Sequence, residues 1–147
     1  MKTILTTVAL FISSLLLNAQ SDAIATEHAD SEGTTITVTV PVPGTGGKVI
    51  AGLYNESTFM KAAPLQGLES EIVDGKATVT FVNVTPGTYG ITLFHDKNDN
   101  KQMDFEPNGM PKEMYGVSNN AMSYGPPQWS DAKFEVAHEP ITLEIRL

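Results

Sequence analysis

The chain lacks cysteine and is short of basic residues, and each shortage excludes some classes of protein. Without cysteine, its 147 residues cannot form a disulfide framework, a thiol nucleophile or a lipid-modified cysteine. Only 9 Lys and Arg stand against 17 Asp and Glu, which gives a formal net charge of −8. Because phosphate contacts need clustered basic side chains, we expect no binding to nucleic acid or to anionic lipid.

Long apolar runs are also scarce, and the one that stands out lies at the start of the chain. Lys2 supplies a positive charge, residues 8–17 are almost entirely apolar, and the small Ala19 suits a cleavage site. This pattern predicts an export signal over residues 1–19. The run is too short for a comfortable membrane span and no later segment matches it. We therefore expect no membrane span and a location in the periplasm or outside the cell.

The rest of the chain predicts a short leader and a single domain. Residues 20–33 have no periodicity and few large apolar side chains, so they should form a flexible leader. Residues 34–147 are about the size of one domain and mostly alternate between apolar and polar positions. This alternation, together with apolar runs and turn signals, predicts about seven short strands, at 34–40, 48–54, 69–73, 76–84, 88–95, 132–136 and 141–147. Their count and spacing favour an all-β fold, an antiparallel two-sheet sandwich of the Ig-like or prealbumin-like type.

The alternation also predicts which side chains face the core. In three of the strands every second residue is apolar and should be buried: Ile36, Val38, Val40, Ala77, Val79, Phe81, Tyr89, Ile91 and Leu93. His95 has the same parity, which is typical of a histidine at the edge of the core with a satisfied hydrogen bond. Residues 57–63 alone suggest a helix, of one turn ended by Pro64, and residues 44–47 suggest a hairpin loop.

Residues 107–130 break this rhythm, because they are rich in Gly, Pro and Asn but also carry aromatic side chains. A connection this long in a compact domain is usually functional or disordered, and the aromatic residues argue for order. We expect one long ordered loop across an end of the sandwich. Tyr115, Tyr124 and Trp129 could either pin this loop to the core or present a ligand-binding surface.

The segment "HDKNDNKQMD" at residues 95–104 places oxygen-bearing side chains at alternate positions. Calcium takes six to eight oxygen ligands, and a chain that curls round the ion offers alternate side chains together with backbone carbonyls. The spacing matches the first part of an EF-hand loop. It predicts a calcium site formed by Asp96, Asn98, Asn100, Gln102 and Asp104.

Two positions depart from that loop pattern. Lys101 stands where a glycine usually supplies a positive φ, and Pro107 stands where a bidentate Glu belongs. Glu113 is the predicted source of the missing carboxylate, with Glu106 and Asp131 as alternatives. Asn and Asp also favour plain turns, because their side chains bond neighbouring backbone groups, so a polar turn without a metal stays open.

Catalytic motifs are missing from the sequence. It has no G-x-S-x-G elbow, no P-loop and no pair of histidines at metal-ligand spacing. We therefore assign no catalytic residue and favour a non-enzymatic binding or structural module that recognises a protein, a glycan or a small molecule. The alternative is a small hydrolase or isomerase in which Glu113, Asp131 or His95 performs acid–base catalysis.

A longer stretch carries a resemblance to a known family. The segment "VTPGTYGITLFHDKNDNKQMDFEPNGMPKEMYGVSNNA", followed by "GPPQWSDAKF", resembles the small secreted bacterial proteins grouped as domain of unknown function 2141. The resemblance covers about residues 36–147 and implies an exported β-sandwich with no assigned activity. The strand "PGTYGITLFHD" is also similar to one in carboxypeptidase-regulatory-like and transthyretin-like modules, which implies a prealbumin-like topology.

Overall fold

The computed structural model describes residues 33–122 and 124–147. The predicted export signal, and all of the predicted leader except Gly33, lie outside the described residues. Gly33 itself is held against the domain, because its backbone N–H donates to the Asn83 side-chain oxygen at 3.2 Å.

The described residues form eight strands, one short α-helix and one 3₁₀ turn. The strands are β1 (Thr34–Pro41), β2 (Lys48–Tyr54), β3 (Gln66–Glu71), β4 (Lys76–Val84), β5 (Gly87–Asp96), β6 (Tyr115–Val117), β7 (Phe134–Val136) and β8 (Ile141–Glu144). The helix α1 spans Trp129–Ala132, and the 3₁₀ turn spans Ser118–Asn120. The third strand begins three residues before its predicted start, and β6 was not predicted.

The strands form two sheets, which confirms the predicted all-β sandwich. One sheet has the order β4-β1-β8, and the other has the order β3-β2-β5-β6 with β7 paired to the start of β5. Every strand pair is antiparallel except β1 with β8, which is parallel. Parallel partners cannot be joined by a hairpin. Here the chain between β1 and β8 passes through the other sheet.

The core lies between the sheets and contains the side chains that the alternation predicted. Eight of these nine predicted residues are buried, while Tyr89 is partly buried and packs against the core; the rest of this core includes Val49, Ala51, Leu53 and Ile145. A smaller cluster packs Phe59, Val117 and Ala132 with Tyr54 and Trp129. Burial of each large apolar side chain contributes roughly 1.5–3 kcal/mol, so alternation in the strands supplies most of the driving force for the fold.

Two local predictions were wrong. Residues 57–63 form a turn and not a helix, because Met60 adopts a left-handed φ of 55° that a right-handed helix cannot continue. Residues 44–47 do not close a hairpin, since β1 and β2 belong to different sheets. They cross from one sheet to the other, and Gly46 and Gly47 have φ of 91° and 73° there.

The long loop is shorter than predicted, because β6 and the 3₁₀ turn lie within residues 107–130 and α1 begins there. Trp129 is half-buried and pins the segment by packing on Phe59, as one alternative predicted. Tyr115 is exposed and Tyr124 is fully exposed, so neither ring holds this segment to the core.

Candidate functional site

The acidic segment curls around the carboxylate of Asp96, the last residue of β5. Asp96 is fully buried, and its two oxygens accept the backbone N–H groups of Asn100 at 3.2 Å and Lys101 at 2.8 Å. Lys101 has a φ of 64°, so the chain takes the left-handed conformation expected at this position although no glycine is present. The buried carboxylate therefore fixes a tight turn of the kind that cation-binding loops use.

Three side chains of this loop meet on its outer side. The Asn98 Nδ2 lies 2.7 Å from one oxygen of Asp104, and the Asn100 Nδ2 lies 3.1 Å from both. The side-chain oxygens of Asn98 and Asn100 accept the backbone N–H groups of Asn100 and Gln102 at 3.3 Å and 2.9 Å. The Gln102 side chain is exposed. The structure thus brings together Asn98, Asn100 and Asp104 beside Asp96, and leaves Gln102 at the edge.

Glu113 binds the backbone of the acidic loop at two points. Its side chain is buried, with Oε1 accepting the backbone N–H of Lys97 at 3.0 Å and Oε2 accepting that of Asp104 at 3.3 Å. A short hairpin links Asp104 to Glu113 along the chain, and in it the Lys112 N–H donates to the Asp104 carbonyl at 2.9 Å. One carboxylate therefore joins both ends of the acidic loop to the chain that follows.

The side-chain oxygens of the loop determine which ligands a cation could have here. Across residues 33–122 and 124–147, no three Asp, Glu, His or Cys side chains come together as a metal-binding group. A cation in this loop would therefore depend on two carboxylates, Asp96 and Asp104, and on the carbonyl oxygens of Asn98 and Asn100. A carbonyl oxygen has two lone pairs. The Asn98 and Asn100 oxygens each accept one backbone N–H, so each oxygen keeps one lone pair for a ligand bond. Carboxylate and amide oxygens are ligand types that calcium takes.

The two alternative carboxylates do not complete the site. Asp131 lies in α1, and this helix packs beside Gly90 of β5. A Cβ added at Gly90 would be 3.2 Å from the Trp129 ring of α1. Gly90 precedes Asp96 by six residues of the same strand, roughly 20 Å. Glu106 is exposed and lies in the hairpin after the loop, where its backbone pairs with Met110.

Ion pairs fasten the loop to the neighbouring strands β2 and β3. Lys101 Nζ lies 2.8 Å from Glu69, and Lys48 Nζ lies 3.4 Å from Glu69, 3.6 Å from Glu71 and 3.7 Å from Asp99. The hydrogen bond from Lys101 lowers the pKa of Glu69, and the same bond raises the pKa of Lys101. The charge of Asp99, aided by Glu69 and Glu71, raises the pKa of Lys48. These charges are exposed, so they orient the loop more than they stabilise the fold.

The residues of the acid–base alternative are each held by different partners. His95 is buried, as predicted, and its Nε2 lies 2.8 Å from the Gly46 carbonyl oxygen, while its Nδ1 has no partner among the described residues. Glu113 binds the two backbone amides described above. The exposed Asp131 carboxylate accepts the Ser130 hydroxyl at 3.1 Å.

Sequence reasoning missed a polar cluster at Ser118, Asn119 and Asn120. The buried Ser118 hydroxyl accepts the Ile91 N–H at 3.0 Å and donates to the Ala132 carbonyl. Asn119 and Asn120 have φ of 65° and 52°, a conformation that Asn tolerates better than most residues. The signal was the Ser-Asn-Asn run itself, since these residue types favour side-chain bonds to backbone.

The two asparagines bind different elements. Asn119 Nδ2 donates to the carbonyls of Asp131 and Lys133, both at 2.9 Å. Asn120 Nδ2 donates to the Glu144 carbonyl at 2.9 Å, and its oxygen accepts the Arg146 N–H at 2.8 Å. The run therefore joins β5, α1 and the end of β8 at one point.

Comparison with known proteins places the chain in a family. Residues 36–144 match the family described as an uncharacterized protein conserved in bacteria, DUF2141. The chain belongs to the DUF2141 family. It has no significant match among curated proteins or among solved structures. In the described part of this DUF2141 chain, no helix is long and apolar enough to cross a membrane.

Proposed function

We propose that this DUF2141 domain is an exported, non-enzymatic binding or structural module whose 96–104 loop binds calcium. The observation that supports calcium most directly is that the Asn98 and Asn100 amide groups lie, through Nδ2, 2.7–3.1 Å from the Asp104 carboxylate, in the loop that the buried Asp96 closes. Rotation of these two amides would turn their oxygens toward the same point. These four residues would supply both the negative charge and the side-chain oxygens. Backbone carbonyls, the exposed Gln102 side chain and water would complete the six to eight oxygens that calcium takes.

The affinity follows from the number of carboxylates. A site with two carboxylate ligands and neutral oxygens binds weakly, in the range of about 10⁻⁴–10⁻³ M that extracellular calcium modules show. Such a site loads only where calcium is plentiful, which agrees with the predicted export signal. In this proposal Glu113 supports the loop through Lys97 and Asp104 and does not bind the ion directly.

A structural or binding role is favoured over catalysis by the way in which the acid–base candidates are engaged. A general base needs a free lone pair within reach of a substrate proton. The Glu113 and His95 side chains are buried and bonded to backbone groups, which keeps them out of reach of a substrate. The predicted likeness to transthyretin-like modules also belongs to this proposal, since such modules are binding or structural domains.

A thermal melt of the chain without residues 1–19 tests the calcium site. Binding to the folded state alone adds RT ln(1 + [Ca]/Kd), about 1.4 kcal/mol at ten times Kd. For a domain of this size that raises Tm by about 4–6 °C. Asp104→Asn should abolish most of the shift. The matched control is Asp99→Asn, because Asp99 lies in the same loop but its carboxylate pairs with Lys48 of β2.

Three outcomes would contradict the proposal. The first is an identical wild-type melt in millimolar calcium and in chelator. The second is an equal calcium shift in Asp104→Asn and in wild type. The third is loss of the shift in Asp99→Asn to the same extent as in Asp104→Asn, which would indicate a general effect of charge.

A further inference from the structure

An open depression of about 530 Å³ lies at the other end of the sandwich from the acidic loop. Its lining includes Glu56, Thr88, Trp129, Lys133 and Glu135. Thr88 lies near the start of β5, eight residues before Asp96, so the depression and the loop are roughly 26 Å apart along the strand. The two sites are therefore structurally independent.

The floor of the depression carries a tryptophan that packing holds in place. The Trp129 ring lies 5.6 Å from the Phe59 ring at an interplanar angle of 59°, and Phe59 packs edge-on against Tyr54 at 5.8 Å. Gly90 lies beneath both, where a Cβ would be 3.1 Å from Phe59 and 3.2 Å from Trp129. The glycine lets the indole approach the strand, and the half-buried ring keeps part of its surface in the depression.

The wall near Glu56 is also preformed. The Asn55 side-chain oxygen accepts the backbone N–H groups of Ser57 and Thr58, both at 3.1 Å, which fixes the turn that carries Glu56. Also in the lining, the Thr88 hydroxyl donates to one oxygen of Glu135 at 2.8 Å. A ligand would therefore meet groups that are already positioned, which lowers the entropic cost of binding.

The polar groups around the ring have hydrogen-bonding capacity left over. In the described parts of the chain, the Glu56 carboxylate, the Lys133 ammonium and the Trp129 indole N–H make no hydrogen bond or ion pair. Glu135 has a second oxygen that bonds to no described residue. The depression thus offers two negatively charged hydrogen-bond acceptors, Glu56 and Glu135, and two donors, Lys133 and the Trp129 indole N–H. It also offers an aromatic surface, and Lys133 forms no ion pair with either carboxylate among the described residues.

We propose that this depression binds a neutral saccharide. Each sugar hydroxyl both donates and accepts, so it can bond to Glu56 or Glu135 and also to Lys133 or the indole N–H. The C–H face of a sugar ring is apolar and packs on an aromatic surface. An apolar ligand would leave the charged groups desolvated and unpaired, and an anionic one would face two carboxylates. The open shape admits one unit of a longer glycan.

This inference rests on the proposed binding role and gives that role a ligand class. It does not rest on the calcium site, and the two proposals fail separately. Sugar binding should be the same in calcium and in chelator, because the depression and the acidic loop share no residue.

Fluorescence gives a direct test, because Trp129 is the one tryptophan in the chain. We would titrate the chain without residues 1–19 with soluble neutral oligosaccharides of glucose, mannose, galactose and N-acetylglucosamine, up to millimolar concentrations. A saturable change in indole emission is expected with at least one of these four series. Glu56→Gln and Lys133→Ala should each weaken that binding by roughly tenfold, which corresponds to about 1.4 kcal/mol. Calorimetry of Trp129→Phe should show weakened binding as well.

The matched controls are Glu106→Gln and Lys112→Ala, which remove the same charges from exposed positions at the other end of the domain. Both should bind the sugar like wild type. Absence of saturable binding to all four series would overturn the proposal. Equal affinity in Glu56→Gln, Lys133→Ala and wild type would do so too, as would saturation by an acidic peptide or an anionic glycan in place of the neutral sugars.

Discussion

The Glu113 side chain binds the backbone of Asp104, since its Oε2 accepts the Asp104 N–H at 3.3 Å. Its other oxygen accepts the Lys97 N–H at 3.0 Å. Lys97 and Asp104 are the two ends of the acidic loop, so one buried side chain holds both. The loop therefore has a support of its own, independent of any ion.

The change Glu113→Gln tests this support. Glutamine has the same size but offers one acceptor oxygen where the carboxylate has two, so the second backbone N–H would face an NH₂ group. A buried donor left without a partner costs about 1–3 kcal/mol. We expect a lower Tm and faster hydrogen exchange at the amides of Lys97 and Asp104. Glu106→Gln is the control, because Glu106 is exposed. Equal exchange in both variants would show that Glu113 does not support the loop.

Replacing Asp96 should loosen the chain only near the acidic loop. Asp96→Asn removes a charged acceptor from the backbone amides of Asn100 and Lys101. We expect faster proteolysis between residues 97 and 112 in saturating calcium, because local opening there exposes few core contacts. Residues 115–120 should stay protected, since β6 and Ser118 hold them to β5. The β-sheet circular dichroism should not change.

Two results would oppose that prediction. Unchanged cleavage would make Asp96 a simple turn residue. Loss of the whole β-sheet spectrum would make it essential for the fold.

Ser118→Ala should destabilise the domain although it changes one atom. The hydroxyl is fully buried and bonds to Ile91 and Ala132, so its loss leaves a buried N–H and a buried carbonyl without this partner. We expect a loss of about 1–3 kcal/mol in the free energy of unfolding, measured in urea. Ser130→Ala is the matched control, because Ser130 is exposed and bonds only to Asp131. A loss of the same size in both variants would refute a special role for Ser118.

The Glu69 ion pairs predict a pH dependence with a defined sign. The hydrogen bond from Lys101 lowers the pKa of Glu69 in the folded state, with further contributions from Lys48. A lowered carboxyl pKa contributes stability that is present above the unfolded value of about 4.3. That contribution is lost as pH falls through the lower folded value.

The two lysines act at the other end of the pH scale. Glu69 raises the pKa of Lys101, while Asp99 is the main cause of the raised pKa of Lys48, where Glu71 also acts. Their contribution is present below the usual lysine pKa of about 10.4 and is lost as pH rises through the raised value. We expect hydrogen exchange in the loop, corrected for its intrinsic pH dependence, to be slowest between these limits. Glu69→Gln should remove the acid limb, and a persistent acid limb would exclude this pair as its cause.

Prediction from sequence succeeded for features that neighbouring residues determine. Apolar patterns and turn signals located seven of the eight strands, and period-two alternation located the buried side chains of β1, β4 and β5, because a strand places successive residues on opposite faces. Burial of His95 and its hydrogen bond followed from the same parity. The helix at residues 57–63 failed because Met60 turns left-handed, which no propensity of its neighbours indicates.

The candidate site was predicted in part. The spacing of Asp96, Asn98, Asn100 and Asp104 was visible in the sequence, and the structure brings these four together. The role of Ser118 could not be predicted, because its partner Ile91 lies 27 residues away. The depression around Trp129 also depends on Phe59 and Gly90, which are distant along the chain.

By itself the sequence determined where the strands lie, which faces of them are apolar and which stretch of chain is rich in carboxylate and amide oxygens. These are properties of neighbouring residues, and hydrophobic burial acts on them directly. Only the tertiary structure decided that β8 pairs parallel to β1, that Glu113 joins both ends of the acidic loop, and that Trp129 faces a depression with Glu56 and Lys133. Those relationships depend on which strands become neighbours, and that choice is made by packing between residues far apart in the chain.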